Sequence, residues 1–218
     1  MTKVYAFDAY GTLFDVHAAA SAHRDEIGPG WERMSQLWRQ KHLEYTWIHA
    51  MTGRMVPFWT LAARSLDYAI AVVGGVPAGV RDKLLGSYRS MAAFAEVKET
   101  LGELKVRGAS LAVLSNGDPD MLEAAVTSAG LQGVFDAVIS IQDAGVFKPD
   151  MAVYGLVTKR FGCGPGDVTF LSSNRWDIAG AHVFGFRTVW INRTNQPDEY
   201  PDFPAGAVGR DLRVLVGR

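Results

Sequence analysis

The sequence predicts an α/β fold, an open parallel sheet with a helical cap inserted after its first strand. Five short apolar runs, rich in β-branched residues, lie at 4–7, 111–114, 137–141, 168–171 and 188–191. Near-continuous apolarity of this kind marks strands covered on both faces. Helical segments separate the later runs, and strand–helix alternation gives parallel strands joined by right-handed crossovers. Between the first run and Glu96, about eighty residues carry helical periodicity and no strand, too much helix for one crossover. Residues 1–15 and 93–218 are therefore expected to form a Rossmann-like core, and residues 16–92 a helical cap domain.

Three helical patterns fill the insertion. The first puts Trp31, Met34, Trp38, Tyr45 and Ile48 on roughly one face. The second runs over 58–73 and the third over 80–91, divided by Gly74, Gly75 and Pro77. A helix over 96–107 then stops at Gly108. Asp118 and Pro119 read as N-cap and first residue of a helix that stops at Gly130. Pro149 opens another, closed by Gly162, and a short one over 176–184 ends at Gly185. Residues 194–206, rich in Pro and Asp, read as a surface loop.

Of the 218 residues, 48% are apolar and 21% charged, the balance of a globular chain with a full core. A net charge of −1 with no Lys/Arg cluster offers no basic field, which argues against nucleic acid or anionic membranes as partners. Cys163 is the only cysteine, so no internal disulfide forms, and a reducing compartment fits. The N-terminus turns acidic too early for a signal peptide, and the apolar stretch at 70–76 is too short to span a bilayer. Cytoplasmic localisation is the expectation.

Ligands of open α/β sheets sit beyond the carboxyl ends of the strands. Asp8, Tyr10, Gly11 and Thr12 follow the first strand, and Ser115, Asn116, Gly117 and Asp118 the second. Lys148 follows the third on a loop, and Ser172, Ser173, Asn174 and Asp177 follow the fourth. Asp8 alone could cap a turn before Gly11; facing a lysine loop, it reads better as a nucleophile whose anion Lys148 stabilises. Lys148 by itself reads as a solvated loop lysine, and Asp177 as a first-turn residue favoured by the helix dipole. Ser115 and Asn116 could simply form a turn. Histidines 17, 23, 42, 49 and 182 show no metal-ligand spacing, and Cys163 lies in a turn without a histidine neighbour.

The segments FDAYGTLFD, LSNG, VFKPD and SSNRWD resemble, in order, the four motifs of the haloacid dehalogenase superfamily. The tyrosine of DAYGT, the pattern SSN-x-WD and the segment LWRQKHLEYTW further resemble the L-2-haloacid dehalogenases. That resemblance implies hydrolysis of short (S)-2-haloalkanoic acids to (R)-2-hydroxy acids through an ester on Asp8, without a metal or other cofactor. It assigns Thr12, Lys148, Ser172, Asn174 and Asp177 to the catalytic set. It gives Ser115 the substrate carboxylate, Arg39 and Asn116 the halide, and Tyr10, Phe58 and Trp176 the walls. It also implies a homodimer through the cap helices. Tyr10 stands where superfamily phosphatases carry the Asp that protonates a leaving alcohol, and Ser173 where they carry an Asp that helps hold Mg²⁺. The alternatives are therefore a Mg²⁺-dependent phosphatase, disfavoured by both residues, and a catalytically idle small-anion-binding module.

Overall fold

The computed structural model describes residues 3–217. Its strands are β1 (Val4–Phe7), β2 (Ser110–Ser115), β3 (Ala137–Ser140), β4 (Val168–Ser172), β5 (Arg187–Ile191) and β6 (Ala207–Gly209). They form one parallel sheet in the order β3-β2-β1-β4-β5-β6. The chain lays down β2 and β3 on one side of β1, then returns to place β4 on the other. A crevice therefore opens where β1 ends between its neighbours, with Phe7 level with Val113 and Leu171. The central strands are buried because helices cover both faces; Ala6, Phe7, Leu111, Val113 and Phe170 have no exposed surface.

The helices are α1 (Ala18–Ala22), α2 (Arg24–Ile27), α3 (Trp31–Thr52), α4 (Phe58–Val72), α5 (Val80–Arg89), α6 (Val97–Val106), α7 (Pro119–Ser128), α8 (Met151–Phe161) and α9 (Arg175–Phe184). The first five fill the stretch between β1 and α6. Helices α3 and α4 pack along each other, with Trp38 Nε1 donating to the Ala62 carbonyl at 2.9 Å. Together they meet the sheet at the loops that follow β1, β2 and β4.

Some local expectations shift, and three short elements carry no sequence signal. Helix α8 starts at Met151, two residues after Pro149, because Asp150 is the N-cap and accepts from the Ala152 amide at 2.8 Å. Along α3 the apolar stripe is buried at Met34 and Trp38, but Ile48 is 55% exposed because no element of the described chain covers that end. Strand β6, with exposed residues and only three of them, has no apolar run to reveal it. Helices α1 and α2, with 5 and 4 residues, are too short to show a period.

Candidate active site

Asp8 is the first residue past β1, its amide pinned to the Leu171 carbonyl at 2.8 Å and its surface 6% exposed. A buried carboxylate needs donors, and the loops supply four. Oδ2 accepts from Thr12 Oγ1 at 3.0 Å, Ser172 Oγ at 3.3 Å and Asn174 Nδ2 at 2.8 Å, and Oδ1 from Lys148 Nζ at 3.2 Å. Thr12 reaches back because Gly11 turns the chain at φ +91°, a conformation that penalises a side chain. Thr12 Oγ1 in turn accepts from the Ser173 amide at 2.8 Å, which locks the first loop to the fourth.

Lys148 is 1% exposed and spends all three protons. Its ammonium donates to Asp8, to Asp177 Oδ2 at 2.8 Å and to the Leu114 carbonyl at 2.7 Å. Asn116 Oδ1 holds the lysine's own amide at 3.0 Å. Burial works against this ammonium, but Asp177 and Asp8 outweigh it, and its pKa lies above the ordinary lysine value. Burial, then the nearby Asp8, pushes the Asp177 carboxyl up to about 6 against the opposing pull of Lys148 and Tyr154.

From the helices above, Arg39 of α3 donates to the Tyr10 carbonyl at 3.0 Å and to Asn174 Oδ1 at 3.2 Å. The Tyr10 ring stacks on Tyr88 at 5.6 Å and lies 5.5 Å from Phe58. The Tyr10 ring also packs against Gly117 of the loop after β2, whose amide donates to Ser115 Oγ at 3.1 Å. The structure thus brings Asp8, Thr12, Lys148, Ser172, Asn174 and Asp177 into one hydrogen-bonded set, with Arg39 joined through Asn174. Trp176 stands apart from it. Its ring meets Trp47 edge-on at 5.5 Å, and with Arg39 and Asn174 it lines an open cleft of about 550 Å³.

A haloacid dehalogenase-like hydrolase model matches residues 2–185. The chain belongs to that family. It is 45% identical over 217 residues to the (S)-2-haloacid dehalogenase of Pseudomonas sp. strain YL, covering 98% of this chain and 93% of that one. To (S)-2-haloacid dehalogenase 4A of Burkholderia cepacia it is 41% identical over 203 residues, covering 93% and 88%. The structure of L-2-haloacid dehalogenase from Xanthobacter autotrophicus with chloropropionic acid covalently bound aligns with a TM-score of 0.90. That alignment has 34% identity and covers 100% of this chain and 99% of the other.

The site of this haloacid dehalogenase-like hydrolase does not suit a divalent cation. The Lys148 ammonium already bridges the two facing carboxylates, and the neighbouring Ser173 offers a neutral hydroxyl where a hard ion wants charged oxygens. Tyr154 lies outside the expected set, yet its hydroxyl donates to Asp177 Oδ1 at 2.8 Å from the buried face of α8. A signal for it exists in Gly180. A Cβ there would stand 2.4 Å from the Tyr154 hydroxyl, so a glycine inside a helix marks the place where the phenol crosses α9.

Proposed function

We propose that this chain hydrolyses short (S)-2-haloalkanoic acids to (R)-2-hydroxy acids through an ester on Asp8, using no cofactor. The observation that carries the reading is the uneven solvation of the Asp8 carboxylate. Among the described residues three donors hold Oδ2 and only Lys148 touches Oδ1, so Oδ1 is the oxygen free to attack C2. Attack displaces halide, a leaving group that needs no proton, which is why Tyr10 can stand in place of an acid. The guanidinium of Arg39 and the amide of Asn116 receive the anion, and Ser115 holds the substrate carboxylate. In the ester Oδ2 becomes the carbonyl oxygen, and Thr12, Ser172 and Asn174 then serve as its oxyanion hole. Esterification takes the charge from Oδ1 and frees the Lys148 proton it held, so Lys148, with Asp177 and Asn174, positions the water that attacks the Asp8 carboxyl carbon and releases the hydroxy acid.

In this reading residues 16–92 form a cap domain that excludes bulk water, and Tyr10, Phe58 and Trp176 are the apolar walls. The exposed Ile48, Met51, Tyr68 and Val72 on α3 and α4 support a homodimer through the cap. The described residues contain no helix long and apolar enough to cross a membrane. The single cysteine, which leaves no internal disulfide to form, is what supports a cytoplasmic location. Its partners are then only the small haloacid and halide.

The test is halide release from both enantiomers of 2-chloropropionate after dialysis against EDTA. Activity is expected on the S enantiomer alone, unaffected by added Mg²⁺, with R-lactate as product. One displacement inverts C2, and hydrolysis of the ester leaves it untouched. A strong Mg²⁺ requirement with phosphate-ester turnover would restore the phosphatase reading. Ligand-induced thermal stabilisation without turnover would make the chain a binding module.

Tyr154→Phe removes one donor from the ionised Asp177. Its loss is expected to lower kcat roughly fivefold, the scale of about 1 kcal/mol for a net hydrogen bond. Because that hydrogen bond favours the anion, the acid limb of the pH profile, set by Asp177 near 6 in the parent, should move to higher pH. An acid limb that stays in place would separate Tyr154 from the titration.

A further inference from the structure

Helix α7 opens on Asp118, whose backbone is extended at φ −64° and ψ 151° and whose carbonyl accepts from the Leu122 amide, as an N-cap does. Its side chain does not cap its own helix. The carboxylate crosses to α4 instead, accepting from the Phe58 amide at 3.0 Å and the Trp59 amide at 2.8 Å. Those are the first two amides of α4, and its own N-cap, Pro57, supplies no side-chain acceptor. The cap of α4 therefore comes in trans, from a residue sixty positions away.

At one end of this link stand Ser115, the last residue of β2, and Asn116, on the loop that carries Asp118. At the other is Phe58, 2% exposed, its ring 5.5 Å from Tyr10 and 4.0 Å from His42. The loop and the wall also touch through Gly117, where a Cβ would meet the Tyr10 ring at 2.9 Å. A second strut lies outside the first. Arg89 of α5 pairs with Asp120 at 3.1 Å and lies over the Trp59 ring at 4.4 Å. Both of that pair's side chains are well exposed, so it contributes little.

We propose that Asp118 is a positioning residue that sets the distance between the substrate-carboxylate loop and Phe58, and so fixes the pocket for the substituent on C2. This rests on the function proposed above. A wall that touches substrate before and during displacement contributes uniform binding, so its loss appears in KM and leaves kcat nearly unchanged. The effect falls on the C2 methyl group, so chloroacetate, which lacks it, senses the wall less than 2-chloropropionate does.

The test measures halide release from (S)-2-chloropropionate and chloroacetate by the parent, Asp118→Ala, Asp118→Asn and, as a control, Asp120→Asn. Losing a helix cap predicts a KM for 2-chloropropionate raised roughly tenfold in Asp118→Ala, with kcat changed less than about threefold. The rise for chloroacetate should be smaller, and Asp118→Asn, which keeps one acceptor, should fall between alanine and parent. Hydrogen exchange of the Phe58 and Trp59 amides should quicken in the same order, and Asp120→Asn should match the parent. A lowered melting temperature with an unchanged ratio of the two KM values would overturn the proposal and leave Asp118 a structural cap. Should Asp118→Ala fail to fold, the ratio of the two KM values in Asp118→Asn decides the matter in the same way. A parent that releases no halide from either acid overturns the proposed function, and this inference with it.

Discussion

In heavy-oxygen water, with enzyme in excess over (S)-2-chloropropionate, the first turnover should give lactate that is largely unlabelled. The label should appear instead in the peptide covering residues 4–13, localised to Asp8 by mass spectrometry. Water attacks the Asp8 carboxyl carbon in the proposed scheme, so the incoming oxygen stays with the enzyme and an old Asp8 oxygen leaves with the product. The three donors on Oδ2 favour this site of attack, since negative charge developing there already has its hydrogen bonds in place. A general-base mechanism driving water onto C2 would label lactate at once and leave the peptide light. Asp8→Ala should correspondingly lose halide release by roughly 10⁴-fold or more, because Asp177, the other carboxylate of the set, is fully buried with its oxygens held by Lys148 and Tyr154. A labelled first-turnover product with an unlabelled Asp8 would sink the nucleophile assignment, whatever the alanine variant does.

The central strands β1, β2 and β4 are readable because they are buried on both faces, and the site is readable because it begins where they end. Asp8, Ser115 and Ser172 lie at or immediately past apolar runs, so finding the strands found the residues. Lys148 and Asp177 are legible in the sequence only through the resemblance; by themselves a loop lysine and a first-turn aspartate look ordinary, and it is the pairing of β1 with β2 and β4 that brings both to Asp8. Tyr154 was hidden for the opposite reason. An aromatic residue on the apolar face of a helix reads as core, and 0% exposed it is core, with only the hydroxyl tip reaching Asp177. Asp118 was placed correctly as an N-cap by backbone, yet its carboxylate serves α4, and no local pattern encodes a partner sixty residues distant. Ile48 fits the apolar stripe of α3 but lies exposed, because helical periodicity identifies a face without saying that anything in the same chain covers it.

Lys148→Met should abolish most activity and also reshape the dependence of stability on pH. Methionine nearly fills the lysine volume, so the packing against Phe170, now 4.9 Å from the ammonium, is preserved while the charge is lost. Asp8 and Asp177 then face each other with no cation between them, and removing one partner of a buried ion pair costs about 3–5 kcal/mol. Halide release should fall about 10³-fold, the scale for losing a preorganised group at developing charge. Burial already lifts the Asp177 carboxyl to about 6, and Lys148 is the strongest influence holding it down, so the variant's value must be higher still. A carboxyl whose folded pKa exceeds its unfolded value of about 3.9 binds its proton more tightly when folded. The stability this gives is present at low pH and lost as pH rises through the folded pKa. Urea unfolding of parent and variant at pH 5 and pH 8 should therefore show the larger deficit at pH 8 and a partial recovery at pH 5. A deficit equal at both pH values would mean that Asp177 does not titrate against Lys148. One larger at pH 5 would reverse the sign and place the stabilising charge elsewhere.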